Sequence, residues 1–383
     1  MPNTFLLPSV IAREALVLLE SNLVAASIFS RSYEPEFMGN LKVGDTITVR
    51  RRTKPVITEY DGVTVTPTSI VESGVPLILE KHFDANIQLT SKEMTLELQD
   101  FSSQVLEPYM LELAETIDTY ALSKIIQVGN VAPNALPGTL PSNLAGMAAI
   151  ERVANDLKFP RNPRAGIVSA EFKESLMGVA SFVEADKRGD DGTALRDSSL
   201  GRLMTIDTFM DQNVDTTTHT TGTSISGTVN GVHAIGATTI VLAGMGATLT
   251  VVEGDILQFA DGNNYGVSAL ATSNAGGDMT VVLFEPIREA FVGAEAVVVY
   301  DGGGNTFQDH GVLMHPNAFA MVVVPLALPR GAADAGYIQN RGFGIRFVYT
   351  YDKDLKSDVL SLDILVGAKL VDGRLAARLP KNI

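Results

Sequence analysis

Between Thr216 and Tyr300 the chain changes its internal period, and that change constrains the fold more than any other feature. The stretch is rich in Gly, Thr and Val and reads as six short strands: Ser224–Val229, Thr239–Leu242, Asp255–Phe259, Asn264–Ala269, Met279–Leu283 and Ala296–Tyr300. Turn residues separate them at intervals of about ten residues, the spacing of a small antiparallel barrel or sandwich. The flanking sequence instead alternates helices with strands. A β-rich block is therefore expected to interrupt an α/β unit as an inserted domain over 214–305, with Gly302-Gly303-Gly304 as its exit hinge. Phosphate cradling by that run is a weak reading, because no Lys-Ser/Thr follows it and no helix clearly starts there.

Charge follows the same boundary. Residues 214–305 hold nine acidic side chains against one base, Arg288, a net of −8 in a chain of net −15. By contrast, 41–57 carries Lys42, Arg50, Arg51, Arg52 and Lys54 against Asp45 alone. Such polarisation points to separate surfaces with separate neighbours. The overall sign also argues against nucleic-acid recognition as the main task, since phosphate contacts dominate that affinity.

Ahead of the β-rich block, residues 8–30 read as an amphipathic helix. Ile11, Ala15, Leu18, Leu19 and Leu23 recur at three- and four-residue spacing, with Arg13, Glu14 and Glu20 off the stripe. The stripe needs a partner, either its own domain or another subunit; Leu16, Leu19 and Leu23 are the candidates for inter-subunit contact. Next, Thr46–Thr53 is rich in β-branched residues and follows the turn Gly44-Asp45, so it reads as a strand. Pro55, Gly62, Pro67, Gly74 and Pro76 punctuate the chain before a second strand, Pro76–Thr90, returns. Together they form a long hairpin over 41–90 with a Pro/Gly-broken tip. Isolated hairpins are marginal in water, so a projecting one implies something to lie on. Arg50, Arg51 and Arg52 cannot all face one way on a strand. With Lys54 they are either an inter-subunit salt-bridge strip or a solvated edge kept basic against unwanted pairing.

Thr90 with Glu93 has capping-box spacing for a short helix. A longer helix spans Ser103–Val128, its stripe running through Leu106, Met110, Leu113, Ile117, Tyr120, Lys124 and Ile125. Pro108 must lie in its first turn or bend it, and Gly129-Asn130 supplies a stop. Glu112, Glu115 and Asp118 flank that stripe as a solvated or interfacial face. Further helices are expected over Asn143–Asp156, Ser169–Val179 and just after His315-Pro316, then a buried strand at Met321–Leu326.

The search for chemistry comes back empty. With no cysteine, disulfides, thiolate metal sites and cysteine nucleophiles are excluded together, as suits a reducing compartment. His310 and His315 lie five apart without HExxH or a facing carboxylate, and read as a satisfied structural pair. No GxSxG, GxxxxGK[ST] or GxGxxG occurs. No catalytic, cofactor-binding or metal residue is assigned, and the chain is expected not to be an enzyme. No apolar run reaches the roughly 18–20 residues of a membrane span, and the start lacks signal-peptide features.

The order of these segments resembles the HK97-like capsid fold of tailed phages. It is most similar to the branch typified by the coat protein of a short-tailed Salmonella phage, which carries an inserted β-barrel. The carrying segments are IAREALVLLESNLVAASIF, GDTITVRRRTKP, VPLILEKHFDANIQLTSKEMTLELQDF, VEGDILQFADG and LKSDVLSLDILVGAKLVDGRLAARL. The resemblance implies an α+β chain in five parts. These are an N-terminal helical arm (1–40), an extended β-hairpin loop (41–90) and a peripheral domain with a spine helix (91–131 and 346–383). An axial α/β domain (132–213 and 306–345) and the inserted β-barrel (214–305) complete it. It implies a major capsid protein that self-assembles as pentamers and hexamers into an icosahedral head, within the virion, after assembly in the host bacterial cytoplasm. Implied partners are copies of itself, a scaffolding protein, a portal, a decoration protein and packaged DNA touched non-specifically, with no membrane and no cofactor. Some relatives lock their shells with Lys–Asn isopeptide bonds; no residue pattern supports that chemistry in this chain. Competing readings are an encapsulin-type nanocompartment, which shares the fold, and a phage tail or adhesin protein. The β insertion favours the phage coat over the first, and the spine helix and arm disfavour a tail tube.

Overall fold

The computed structural model describes residues 8–32, 46–50, 57, 59, 74–90, 106–132, 140–184, 197–324, 326–332, 334–340, 343–353 and 357–383. The chain divides into two compact units. One comprises Met1–Ile47, Leu77–Leu122 and Phe319–Lys369; the other comprises Thr48–Pro76, Ser123–Ala318 and Leu370–Ile383.

The amphipathic segment of the first unit forms α1 (Pro8–Asn22) and α2 (Ala25–Ile28), and the spine forms α3 (Glu107–Leu122). Pro108 sits in the first turn of α3, where its missing N–H has no helical partner to lose. The sheet of this unit runs β17 (Phe319–Val324), β20 (Ser357–Leu370), β19 (Phe343–Asp352), β18 (Asp334–Asn340), and β3 (Lys81–Thr90) also pairs with β20. Antiparallel register sets Phe83 opposite Ile364, Ala85 opposite Leu362 and Ile87 opposite Leu360. Those apolar pairs share one face, and a shift of one residue would turn them all to the other side.

That register corrects the hairpin. β1 (Thr46–Arg50) and β2 (Gly74–Ile78) do form a two-stranded sheet. The continuous return strand expected over Pro76–Thr90 is broken at Leu79-Glu80, and its second half is β3. The apolar alternation of β3 matches β20 instead, and it goes there.

In the second unit, β21 (Ala376–Asn382), β16 (Thr306–Met314), β4 (Ala165–Val168), β6 (Ile206–Met210) and β5 (Arg202–Leu203) lie side by side, with β7 (Thr218–Thr220) also on β16. β4 and β6 are parallel. Helices α4 (Leu144–Asp156) and α5 (Ala170–Met177) start where the sequence caps them. Asn143 Oδ1 accepts the N–H of Gly146 at 2.8 Å, and Ser169 Oγ that of Phe172 at 3.3 Å. A short α6 (Ala180–Val183) follows. The last strand thus belongs with the second unit, while β19 and nearly all of β20 lie in the first.

The β-rich stretch gives one six-stranded antiparallel sheet in the order β12 (Asn264–Gly266), β11 (Ile256–Phe259), β15 (Ala296–Val299), β8 (Ser226–Val229), β9 (Thr239–Ala243), β14 (Met279–Val282). A separate pair joins β10 (Thr250–Val251) to β13 (Ala271–Thr272). All six strands read from the sequence are present; five are one to three residues shorter than expected, and Thr239–Ala243 is one longer. The two edges of the sheet meet: Val267 bridges Leu283, Ser268 N–H donates to Val282 O at 2.8 Å, and Phe284 N–H to Gly266 O at 3.0 Å. Ile240, Leu242, Val251, Leu257, Tyr265, Val267 and Val281 fill the interior, all inaccessible to solvent.

The chain enters and leaves this ring along one seam. β7 pairs with β16 at Thr220 and Thr306, and Thr221 N–H donates to Asn305 O at 2.9 Å. Gly303 and Gly304, at φ +96° and +78°, both donate to Gly222 O. The run expected as an exit hinge is therefore bonded to the entering strand, and glycine supplies a backbone that side chains resist.

Candidate assembly surfaces

Leu16, Leu19 and Leu23 were candidates for contact with another copy. Instead they are buried in the chain's own first unit, at 1%, 0% and 6% exposure, where α1 packs on α3, β18 and β19. The reason is geometric. Their stripe faces the apolar side of α3, which buries Met110, Leu113, Ala114 and Ile117, so packing within one chain satisfies it.

A carboxylate fixes the turn after α1. Asp118, 1% exposed, accepts the N–H groups of Val24 at 2.7 Å and Ala26 at 2.8 Å. Those donors open α2 and would otherwise lack partners. This corrects the reading of Asp118 as part of a solvated or interfacial face. A signal was present, because Asp118 lies four residues after Ala114 and beside Ile117 on the buried stripe. Beyond α2, Phe29 stacks on Phe319 with ring centres 4.7 Å apart, Ser30 bridges Ala320, and the Arg31 guanidinium lies 3.6 Å from the centre of the Phe343 ring. The described part of the arm is fastened along its length.

Of the basic strip, Arg50 ends β1 and is exposed, whereas Arg51, Arg52 and Lys54 lie outside the described residues. So do the rest of the tip, save positions 57 and 59, and the capping-box helix at Thr90–Glu93, of which only the Thr90 backbone is described.

Polar groups buried in the first-unit sheet join distant strands. Asp363, 2% exposed on β20, takes the Nε–H of Arg346 on β19 at 2.8 Å and lies 3.3 Å from Nε2 of His82 on β3. Tyr120 donates its hydroxyl to Glu80 at 3.2 Å and accepts the N–H of Ala368 at 3.2 Å. Burial drives its pKa well above the usual tyrosine value.

In the second unit the corresponding group is Arg378 on β21, 1% exposed. It ion-pairs with Asp309 on β16, donates to Gly254 O at 2.8 Å, and lies over Phe307 at 5.2 Å. Its backbone bonds Asn130 O and Ala132 N–H, both at 2.8 Å. One side chain thereby ties the last strand, the main sheet and the base of the ring. Gly129, expected only as a helix stop, has a second duty. A Cβ there would lie 2.5 Å from the Tyr265 backbone of β12.

His310 is fully buried on β16. Its Nδ1 lies 3.0 Å from Ser169 Oγ, and its Nε2 has no hydrogen-bond partner, 3.7 Å from a Glu171 carboxylate oxygen. Burial lowers its pKa, and Glu171 opposes that only partly. Glu171 pairs with Lys381, which holds its carboxyl below the usual range. Ser169 is engaged as a helix cap, and this group reads as a structural network. Among the described residues no cluster of three or more His, Asp or Glu could hold a metal ion, and no helix is long and apolar enough to cross a membrane.

No protein-family model matches this chain, and no curated protein does. Solved structures do. The chain is similar to a structure from Mycobacterium phage Che8, at 14% identity and a TM-score of 0.52, over 93% of this chain and 90% of that one. It also matches the capsid of cyanophage P-SCSP1u (10% identity, TM-score 0.45, 88% and 84% covered). The mature capsid of bacteriophage PhiM1 is a third (13% identity, TM-score 0.44, 87% and 81% covered). The chain has a mixed helix-and-sheet fold, shared with the Che8 phage structure.

Proposed function

We propose that this chain is the major capsid protein of a tailed phage, a structural protein that assembles with copies of itself into an icosahedral head. The observation that carries the reading is the fold shared with the Che8 structure across nine-tenths of both chains. A match of that extent is not confined to one part of the chain. The inserted ring supports the finer assignment to the Salmonella-phage type of coat protein with an inserted β-barrel. Its net charge of −8 suits an outward position, since facing packaged DNA would cost repulsion. The basic hairpin, set against acidic neighbours, would supply steering and register more than raw affinity. Many modest contacts then add up through multivalency. A scaffolding protein, a portal and a decoration protein are the other expected partners, with assembly in the host cytoplasm.

Gel filtration and negative-stain microscopy of the purified chain test this. Pentamers, hexamers or shells are expected, and changing Arg50, Arg51 and Arg52 together to serine should impair their formation. A strictly monomeric protein would overturn the proposal.

A further inference from the structure

One end of the ring carries a ribbon with an unusual outer face. His233 and Phe291 exchange backbone hydrogen bonds, both 3.0 Å, in an antiparallel bridge. That register sets Val232 opposite Val292 and Ala234 opposite Ala290. Alternation sends these four to one side and His233 and Phe291 to the other. The inward side is well anchored: Phe291 is 2% exposed, and Nε2 of His233 accepts the N–H of Val241 at 3.2 Å. On the outward side Val232 is 76% and Val292 78% exposed, and both alanines are exposed. Further backbone bonds hold the ribbon, from Gly236 N–H to Ile287 O at 3.0 Å and from Ala294 N–H to Val229 O at 2.8 Å. A fastened surface with its aliphatic groups in water is preorganised to bind.

Charge decides what it binds. Glu295 accepts the N–H groups of Val292 at 2.7 Å and Gly293 at 2.9 Å, bonds that hold it ionised at the base of the valine pair. The single base of residues 214–305, Arg288, is paired with buried Glu285 at 2.6 Å, its side chain 9% exposed. The rim is therefore anionic, and a second ring of net −8 would be repelled. We propose that the outward face of this ribbon docks a different protein, one presenting an apolar patch bordered by lysine or arginine. The proposal does not depend on shell formation.

A fluorescent helical peptide with a leucine face bordered by lysines is the probe, read by anisotropy on the full-length chain. A second peptide with glutamate in place of lysine is the control. The lysine peptide should bind, weaken in about 0.5 M salt, and outcompete the glutamate peptide. The double variant Val232→Asp, Val292→Asp should bind the lysine peptide about tenfold more weakly, because aspartate removes apolar contact. Glu295→Gln should weaken it by a smaller factor. The aspartate variant separates two kinds of attraction: if charge alone drew the peptide, added carboxylates would tighten binding. Unchanged or tighter binding by that variant would overturn the proposal, as would equal binding of both peptides. The serine pair Val232→Ser, Val292→Ser, which adds no charge, should weaken binding in the same direction. Thermal unfolding matched to the parent chain shows that either variant is folded.

Discussion

In the ring, Gln258 pairs with Asn264 and Val229 with Leu242; in the first unit, Ile87 pairs with Leu360. These pairings are all antiparallel, yet the ring's partners all lie within its own stretch, whereas the first-unit pair spans most of the chain. Loop closure costs more entropy as the loop lengthens, although slowly, and the long-range pairing must be worth that cost. The ring meets its own smaller cost chiefly with an apolar interior and glycine turns, and buries one ion pair of its own, Arg288–Glu285. At its long-range junctions the rest of the molecule adds buried ionic groups: Asp118 at α2, Asp363 between Arg346 and His82, and Arg378 between strands and ring base. Buried polar groups with satisfied partners specify one arrangement, because a misplaced charge in the interior is expensive.

Arg378→Ala is the severest test of that contrast. It leaves Asp309 without its partner and frees Gly254 O, for an expected loss of about 3–5 kcal/mol in equilibrium denaturant unfolding. A loss below 1 kcal/mol would mean the ion pair is incidental and the contrast with the ring is false. Leu242→Ala hollows the ring interior and should cost about 2–5 kcal/mol. Its mark is local: amide exchange should quicken across β8, β9 and β14 while β20 amides keep their protection, and equal loosening of both would erase the distinction. The smallest effect is a pH dependence confined to the main sheet. His310, facing Glu171, Lys381 and Asp309, takes its proton only below its ordinary value of 6.5. Once the pH falls through 6.5, the unfolded chain binds a proton that the folded chain refuses, so stability is complete above that point and declines below it. Glu171, held under its ordinary 4.5 by Lys381, adds a further decline below 4.5. Melting temperature against pH should fall less steeply between 6.5 and 5 in His310→Gln, and an unchanged slope would remove His310 from the account.

The same contrast explains what could be read in advance. The six ring strands were legible because alternation and turn residues are local signals, and their partners lie within the same stretch. The spine helix and the helices that begin near Asn143 and Ser169 were legible for the same reason. The partner of β3 was not, since nothing local in KHFDANIQLT names a strand near residue 360. The leucines of α1 announced a buried face without saying whose surface buries it. Arg378 looks like an ordinary surface charge until the fold brings it backbone groups and a carboxylate from elsewhere, and the position of Asp118 on the buried stripe gave no hint of the α2 amides it holds. Gly129 was recognised as a stop, but the crowding by Tyr265 that requires glycine arises only in three dimensions.

The seam at Thr220 and Thr306 has one more consequence. Paired strands lie about 4.8 Å apart, a gap that a two-residue turn can bridge. Everything between those points could therefore be replaced or lengthened without opening the β7–β16 pairing, so long as the contacts of the ring base with Arg378 and Gly373 are kept. The ring is then a cassette, free to diversify under selection while the frame that carries it keeps its geometry.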